Sequence, residues 1–379
     1  MRRPFLVLTA INVLDAFVTG AYTLIVPLVM IKKGVSFSAM GPVFSAFPIT
    51  FLTFRMLFSS AADSVGFRKF FHANASCNLA SALLYAASTS PASYAAAKMV
   101  QGVKEAALWA VNRSAAYGAA EDRSPQMASS ILLFIRALAI TVGAAASGFL
   151  ISWMSFEQVF LMLAILSALI FIPALMSDMG RCGNLDLKEL LGRLDPRIIN
   201  GRIWRTAFTM SLYTAASTLA TGFVLPVFLH EKGLGYWEVG MILAAYTGMG
   251  ALLLPYALRA TPSIDRIAYI QTLLYVPAAV LIPMTGGKLM IIMVLIMGLG
   301  ESISYLTWES LISREAVGRE DMATTIGFLH APSNLIMIPS YILAGVLVEK
   351  LGYTAPFLAA ATLFLIYSIT AQRNLNRIS

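Results

Sequence analysis

Charge is scarce in this chain. Only 12% of its 379 residues are Asp, Glu, Lys or Arg, against 58% that are hydrophobic, a balance that excludes an ordinary soluble enzyme. His72, His230 and His330 are scattered, so no metal cluster is readable, and Cys77 and Cys182 supply no disulfide framework. Also missing are a His-Glu-x-x-His pair, a Gly-x-Ser-x-Gly elbow, a Gly-x-x-x-x-Gly-Lys loop and an Asp-rich metal motif. Their absence leaves a membrane enzyme as a remote alternative, gives ATP-driven chemistry no support and calls for no cofactor or metal. The sequons at Asn74 and Asn112 fall in or beside apolar runs and carry no meaning for glycosylation.

What is present is a series of apolar runs near the roughly 20 residues that span a bilayer. Twelve are readable: 5–31, 38–60, 69–88, 92–113, 126–153, 157–176, 203–229, 236–258, 264–284, 289–312, 322–348 and 353–371. The expected fold class is an all-α membrane protein with 12 transmembrane helices. The first run, after Arg2 and Arg3, is too long for the apolar region of a signal peptide and is read as a retained helix. The formal charge of +8 does not point to nucleic acid once its carriers are placed. With alternating topology and a cytoplasmic N-terminus, 18 of the 27 Lys and Arg residues fall in inner segments and five in outer loops. That asymmetry orients the chain in a cell (inner or plasma) membrane with both termini cytoplasmic.

A few charges remain inside the runs: Asp15, Arg55, Lys98, Lys104, Glu105, Arg136 and Glu301. Each costs about 2.5–3.5 kcal/mol at the bilayer centre even on lenient scales, so such groups face a polar pathway or one another. At about 1.5 Å per residue, Asp15, Lys104, Glu105, Arg136 and Glu301 share a midplane layer. Arg55 and Glu309 sit nearer the cytoplasm and Lys98 nearer the outside, where a snorkelling or boundary role is expected for it.

Lys104 and Glu105, being adjacent, point about 100° apart. The expectation is that Lys104 faces the cavity and Glu105 pairs with Arg136, the reverse being the alternative. For that pair a structural role weighs as much as a functional one. Asp15 and Glu301 have no opposite charge within a turn on their own helices, so with Glu105 they are the proton-coupling candidates. Trp109, Tyr305 and Trp308 are midplane aromatics whose commonest role is packing and whose alternative is substrate stacking. His330 and Asn334 lie where they could reach the same vestibule.

The chain also repeats itself. Pro27, Lys33-Gly34 and Gly41 are echoed by Pro226, Lys232-Gly233 and Gly240 at an offset of 199 residues. Gly102, Glu105 and Ser114 return as Gly298, Glu301 and Ser310 at 196, and Met127-Ala128 as Met322-Ala323 at 195. The organisation read from this is a six-helix half (1–176), a central cytoplasmic loop (177–202) and a second six-helix half (203–379). Leu187, Leu190, Leu191 and Leu194 in the loop suit a short helix on the membrane face. A six-plus-six parallel repeat describes a major transporter architecture, with its binding site near the midplane between the halves.

Ser59-Ser-Ala-Ala-Asp63-Ser64-Val-Gly66-Phe-Arg68-Lys69, between the second and third runs, resembles the loop signature of the major facilitator superfamily. Ser59 stands where that signature has Gly, and Ser64 where it has a basic residue. Lys98-Met-Val-Gln101-Gly102 is similar to the family's fourth-helix pattern, with Lys for Arg. Gly143 to Gly148 is similar to the glycine-rich stretch of proton-driven exporters but lacks their Gly-Pro pair. No copy of the loop signature is recognisable around Arg259 to Arg266.

The resemblance implies alternating access, proton coupling and a monomer in the lipid bilayer, with Asp63, Gly66, Arg68 and Lys69 at a cytoplasmic gate. For Arg68 and Lys69, simple positive-inside anchoring is the alternative. It also places Arg55, Lys104, Arg136, Glu301, Trp109, Tyr305 and Asn334 along the cavity. The expected function is transport of a small organic anion or zwitterion, since Arg suits carboxylate or phosphate. A proton-antiporting exporter of lipophilic or cationic compounds is the alternative, and a transporter-like receptor a remote one.

Overall fold

The computed structural model describes residues 3–119, 125–177, 201–257, 264–316 and 322–376. Every regular element among them is helical: α1 (Arg3–Lys32), α2 (Phe37–Val65), α3 (Phe67–Ala87), α4 (Pro91–Gly118), α5 (Pro125–Trp153), α6 (Phe156–Leu169) and α7 (Phe171–Met176). There follow α8 (Gly201–Thr221), α9 (Val224–Glu231), α10 (Tyr236–Ala257), α11 (Ile264–Leu281) with a 3₁₀ turn (Ile282–Met284), α12 (Gly287–Ala316), α13 (Met322–Leu351) and α14 (Thr354–Asn376). Each of the twelve apolar runs is thus a helix or a broken helix. The central loop with its expected surface helix, and the segment after Arg259, lie outside the described residues except at their ends.

The breaks follow proline. Pro173 and Pro226 have no N–H to donate, and each ring crowds the carbonyl four residues earlier. Those carbonyls belong to Leu169 and Gly222, where α6 ends and where α8 gives way to α9. The echoed glycines have a local cause too. Gly34 and Gly233 hold φ at 74° and 92°, the left-handed region that a side chain disfavours. Gly34 N–H donates to Ile31 O and Val35 N–H to Met30 O, and Gly233 and Leu234 do the same to His230 and Leu229. Both halves therefore stop their first helix with the same glycine cap.

Among the described residues nine helical segments are long and apolar enough to cross a membrane. α3, α4 and α10 are not among them; α3 and α4 carry Asn74, Asn78, Lys98, Lys104 and Glu105. The chain divides into two compact units, Met1–Val35 with Ala46–Asp195, and Ser36–Ser45 with Pro196–Ser379. In the first, α1 packs on α5, and α3 on α4 and α6; in the second, α8 packs on α13, and α11 on α12 and α14. The repeat thus appears in packing as well as in sequence. α1 and α5 approach closely because Gly20 faces the Ile140 backbone and Gly143 the Phe17 backbone, with no room for a Cβ at either. Gly143, noted for its glycine-rich surroundings, is a packing residue.

Candidate functional site

The first unit is built around one buried carboxylate. Asp15 of α1 is fully enclosed and receives Lys104 Nζ of α4 at 2.9 Å and Arg136 of α5 at 2.9 Å. The Asn74 and Asn78 side-chain amides of α3 donate to the same carboxylate at 3.0 and 2.9 Å. Glu105 completes the group: Lys104 Nζ lies 3.0 Å and Arg136 3.6 Å from its oxygens. Thr19 Oγ1 and Trp109 Nε1 donate to Glu105 at 2.9 and 3.1 Å. Arg136 also lies 5.1 Å over the Trp109 ring and donates to Asn12 Oδ1, while the Asn12 amide donates to Asn112. Two anions and two cations leave the cluster with no net charge, the condition under which buried charges persist.

This arrangement corrects several expectations. Lys104 does not face a cavity; it is wholly enclosed between Asp15, Thr19 and Glu105. Arg136 is nearer Asp15 than Glu105. Lys104 and Glu105 leave the helix in different directions, yet their flexible chains bring the charged ends together. Asp15 has no counter-charge within a turn on its own helix, as expected, but α4 and α5 supply two. Lys98 does not snorkel: it is buried and donates to Gln101 Oε1 at 3.1 Å. Asn12, Asn74, Asn78 and Asn112 were not singled out for this role, although Asn74 and Asn78 are spaced four apart, on one helical face.

Glu301 of α12 lies in the second unit in a different setting. Ser217 Oγ of α8 and Tyr246 OH of α10 each donate to one of its carboxylate oxygens. Thr221 Oγ1 lies 3.3 Å from Ser217 Oγ. No cation pairs with Glu301 among the described residues. Trp308 is buried between Tyr213 and His330, with ring centroids at 5.2 and 5.6 Å. Tyr305 is partly exposed and Asn334 half-buried. Arg55, half-buried on α2, sets its guanidinium 5.4 Å from the Phe51 ring.

A family model for the Major Facilitator Superfamily matches residues 8–327. The chain belongs to the major facilitator superfamily. It is accordingly a multi-pass membrane transporter and not an enzyme. Among solved structures, the nucleoside transporter NupG is similar at TM-score 0.75 and 14% identity, covering 99% of this chain and 100% of that one. The human organic anion transporter MFSD10 (TETRAN) gives 0.70 and 16%, covering 98% and 99%. A POT family transporter in complex with 5-aminolevulinic acid gives 0.76 and 14%, covering 97% and 95%. At these identities the likeness is one of fold. No curated protein matches the chain.

Two superfamily motifs now have a physical reading. Gly66 holds φ at 83° at the start of α3, a conformation suited to glycine, and Arg68 and Lys69 are exposed beyond it. The Asp63 side chain lies outside the described part. In the fourth-helix motif, Gln101 accepts from both Lys98 and Tyr85. A Cβ on Gly102 would meet the Phe47 carbonyl of α2 at 2.5 Å, so this glycine is needed for α2 and α4 to touch.

Proposed function

We propose that the chain is a proton-coupled secondary transporter working by alternating access, in which Glu301 takes up and releases the proton. The observation that carries this reading is the contrast between its carboxylates. Asp15 and Glu105 are matched by Lys104 and Arg136, whose positive charges balance theirs. Glu301 meets hydroxyl groups instead, and a hydroxyl can serve a neutral carboxyl as well as a charged one.

The proposed substrate is a small organic zwitterion or anion. The zwitterion is favoured because Lys104 and Arg136 are already balanced and leave no surplus positive charge in their cluster. Nucleosides, organic anions and 5-aminolevulinic acid, named for the structural neighbours, suit a starting panel. A second reading, proton-antiporting export of cationic compounds, draws on the same carboxylate, which no cation pairs with among the described residues.

A thermal-shift panel on the detergent-purified protein, with matched anionic, zwitterionic and cationic compounds, separates the two. A ligand at 100 times its dissociation constant stabilises by about 2.7 kcal/mol. Zwitterion hits, followed into proteoliposomes, are expected to accumulate under a pH gradient in the wild type. With Glu301→Gln they should exchange without accumulating. Hits confined to cations, and lost in Glu301→Gln, would replace the first reading with the second.

A further inference from the structure

Glu105 and Glu301 occupy the same place in the two repeats, 196 residues apart, and each accepts a hydrogen bond from the first helix of its unit, Thr19 on α1 and Ser217 on α8. Their surroundings diverge at matching positions. Asp15, Lys104 and Arg136 correspond, at offsets of 199, 196 and 195, to Thr214, Gly300 and Ala331, so every charge around the first glutamate is gone around the second. One polar group has been added instead. Phe47 of α2 corresponds, at the offset of 199, to Tyr246 of α10, whose hydroxyl donates to Glu301.

A glycine makes that contact possible. Gly298, the counterpart of Gly102, lies one turn before Glu301, and a Cβ there would sit 2.7 and 3.1 Å from carbons of the Tyr246 ring. The ring therefore lies against the bare backbone of α12 and is buried, with 7% exposure. Among the described residues, the other groups set against Glu301 are uncharged phenols and hydroxyls: Tyr213 and Ser217 from α8 and Tyr275 from α11. From α13, His330 packs on Trp308, and from α14 the Tyr367 hydroxyl donates to Ser304 O.

We propose that Tyr246, admitted by Gly298, is a positioning residue that sets the pH at which Glu301 binds its proton. This rests on the proton-coupled reading of Glu301. A phenol donating to a carboxylate favours the ionised form. The incoming proton ends on a Glu301 oxygen, and Tyr246 keeps its own. The first half has Phe47 at this position, and Glu105 is held there by Lys104 and Arg136 together with Thr19 and Trp109.

The test needs no transported substrate. Infrared difference titration of the purified full-length protein reads the carbonyl band of protonated carboxyl groups, and Glu301→Gln identifies the Glu301 contribution. Tyr246→Phe should move the midpoint of that band upward by about one pH unit, the scale of a hydrogen bond to a charged group, while thermal unfolding stays near the wild-type temperature. Gly298→Ala, which leaves the phenol in the chain but displaces its ring, should move the midpoint the same way. If Glu301→Gln removes no titrating band, the proton-coupled reading falls and this inference with it. If the band belongs to Glu301 and neither variant moves its midpoint, the role of Tyr246 alone is overturned.

Discussion

Asp15 is held by four donors from three other helices, so the cost of losing it is set by what remains. Asp15→Ala would leave Lys104 and Arg136 with Glu105 as the one anion between them. Breaking a buried pair of this kind costs about 3–5 kcal/mol, read as a large drop in the thermal unfolding temperature. Adding Lys104→Met to Asp15→Asn restores charge balance, and the double variant should lose less than the two single variants summed. Strict additivity would mean that the groups do not act as a unit. Position and burial made these residues legible as a midplane layer. The partners were not legible, because Asn74 and Asn78 are uncharged and no charge in the interior of their apolar run draws attention to them.

At the scale of elements, glycine and proline decide where helices end and how closely they meet. Gly34→Ala and Gly233→Ala each force a side chain into the left-handed region and should cost about 1–2 kcal/mol apiece, visible as additive losses in thermal stability. Gly20→Val is a sharper change, since its side chain would press on the Ile140 backbone. It should separate α1 from α5 and, through Arg136, loosen the Asp15 cluster. A Gly20→Val protein as stable as the wild type would refute the close contact. Helix positions were readable within a few residues from apolar runs alone, because a bilayer demands long uninterrupted helices. The charged ends were not: α4 continues to Gly118 and α12 to Ala316, beyond the apolar stretches that announced them.

At the scale of the whole molecule, the placement of Lys and Arg predicts both termini in the cytoplasm. With only Cys77 and Cys182 to replace, single cysteines can be introduced and labelled in intact cells by an impermeant reagent. Lys288→Cys should react from outside and Arg373→Cys only after the membrane is opened; the opposite pattern would invert the topology. The repeat extends this symmetry to packing, where α1–α5 and α3–α4 return as α8–α13 and α11–α12. Against that shared frame the two units differ in their electrostatics, one gathering Asp15, Lys104, Glu105 and Arg136 into a neutral cluster and the other setting Glu301 among hydroxyls.

Composition, apolar run length and the echoed motifs by themselves determined the twelve membrane helices, their two-fold repetition and the superfamily. Those features follow from the solvent, which permits few backbone solutions and leaves them written in every stretch of the chain. Which charges meet was decided only by the tertiary structure. Lys104 and Arg136 carry flexible side chains several ångströms long, and the neighbours they reach come from helices distant in sequence. Whether a carboxylate finds a cation, as Asp15 does, or a phenol, as Glu301 does, depends on packing between helices, which local sequence does not encode.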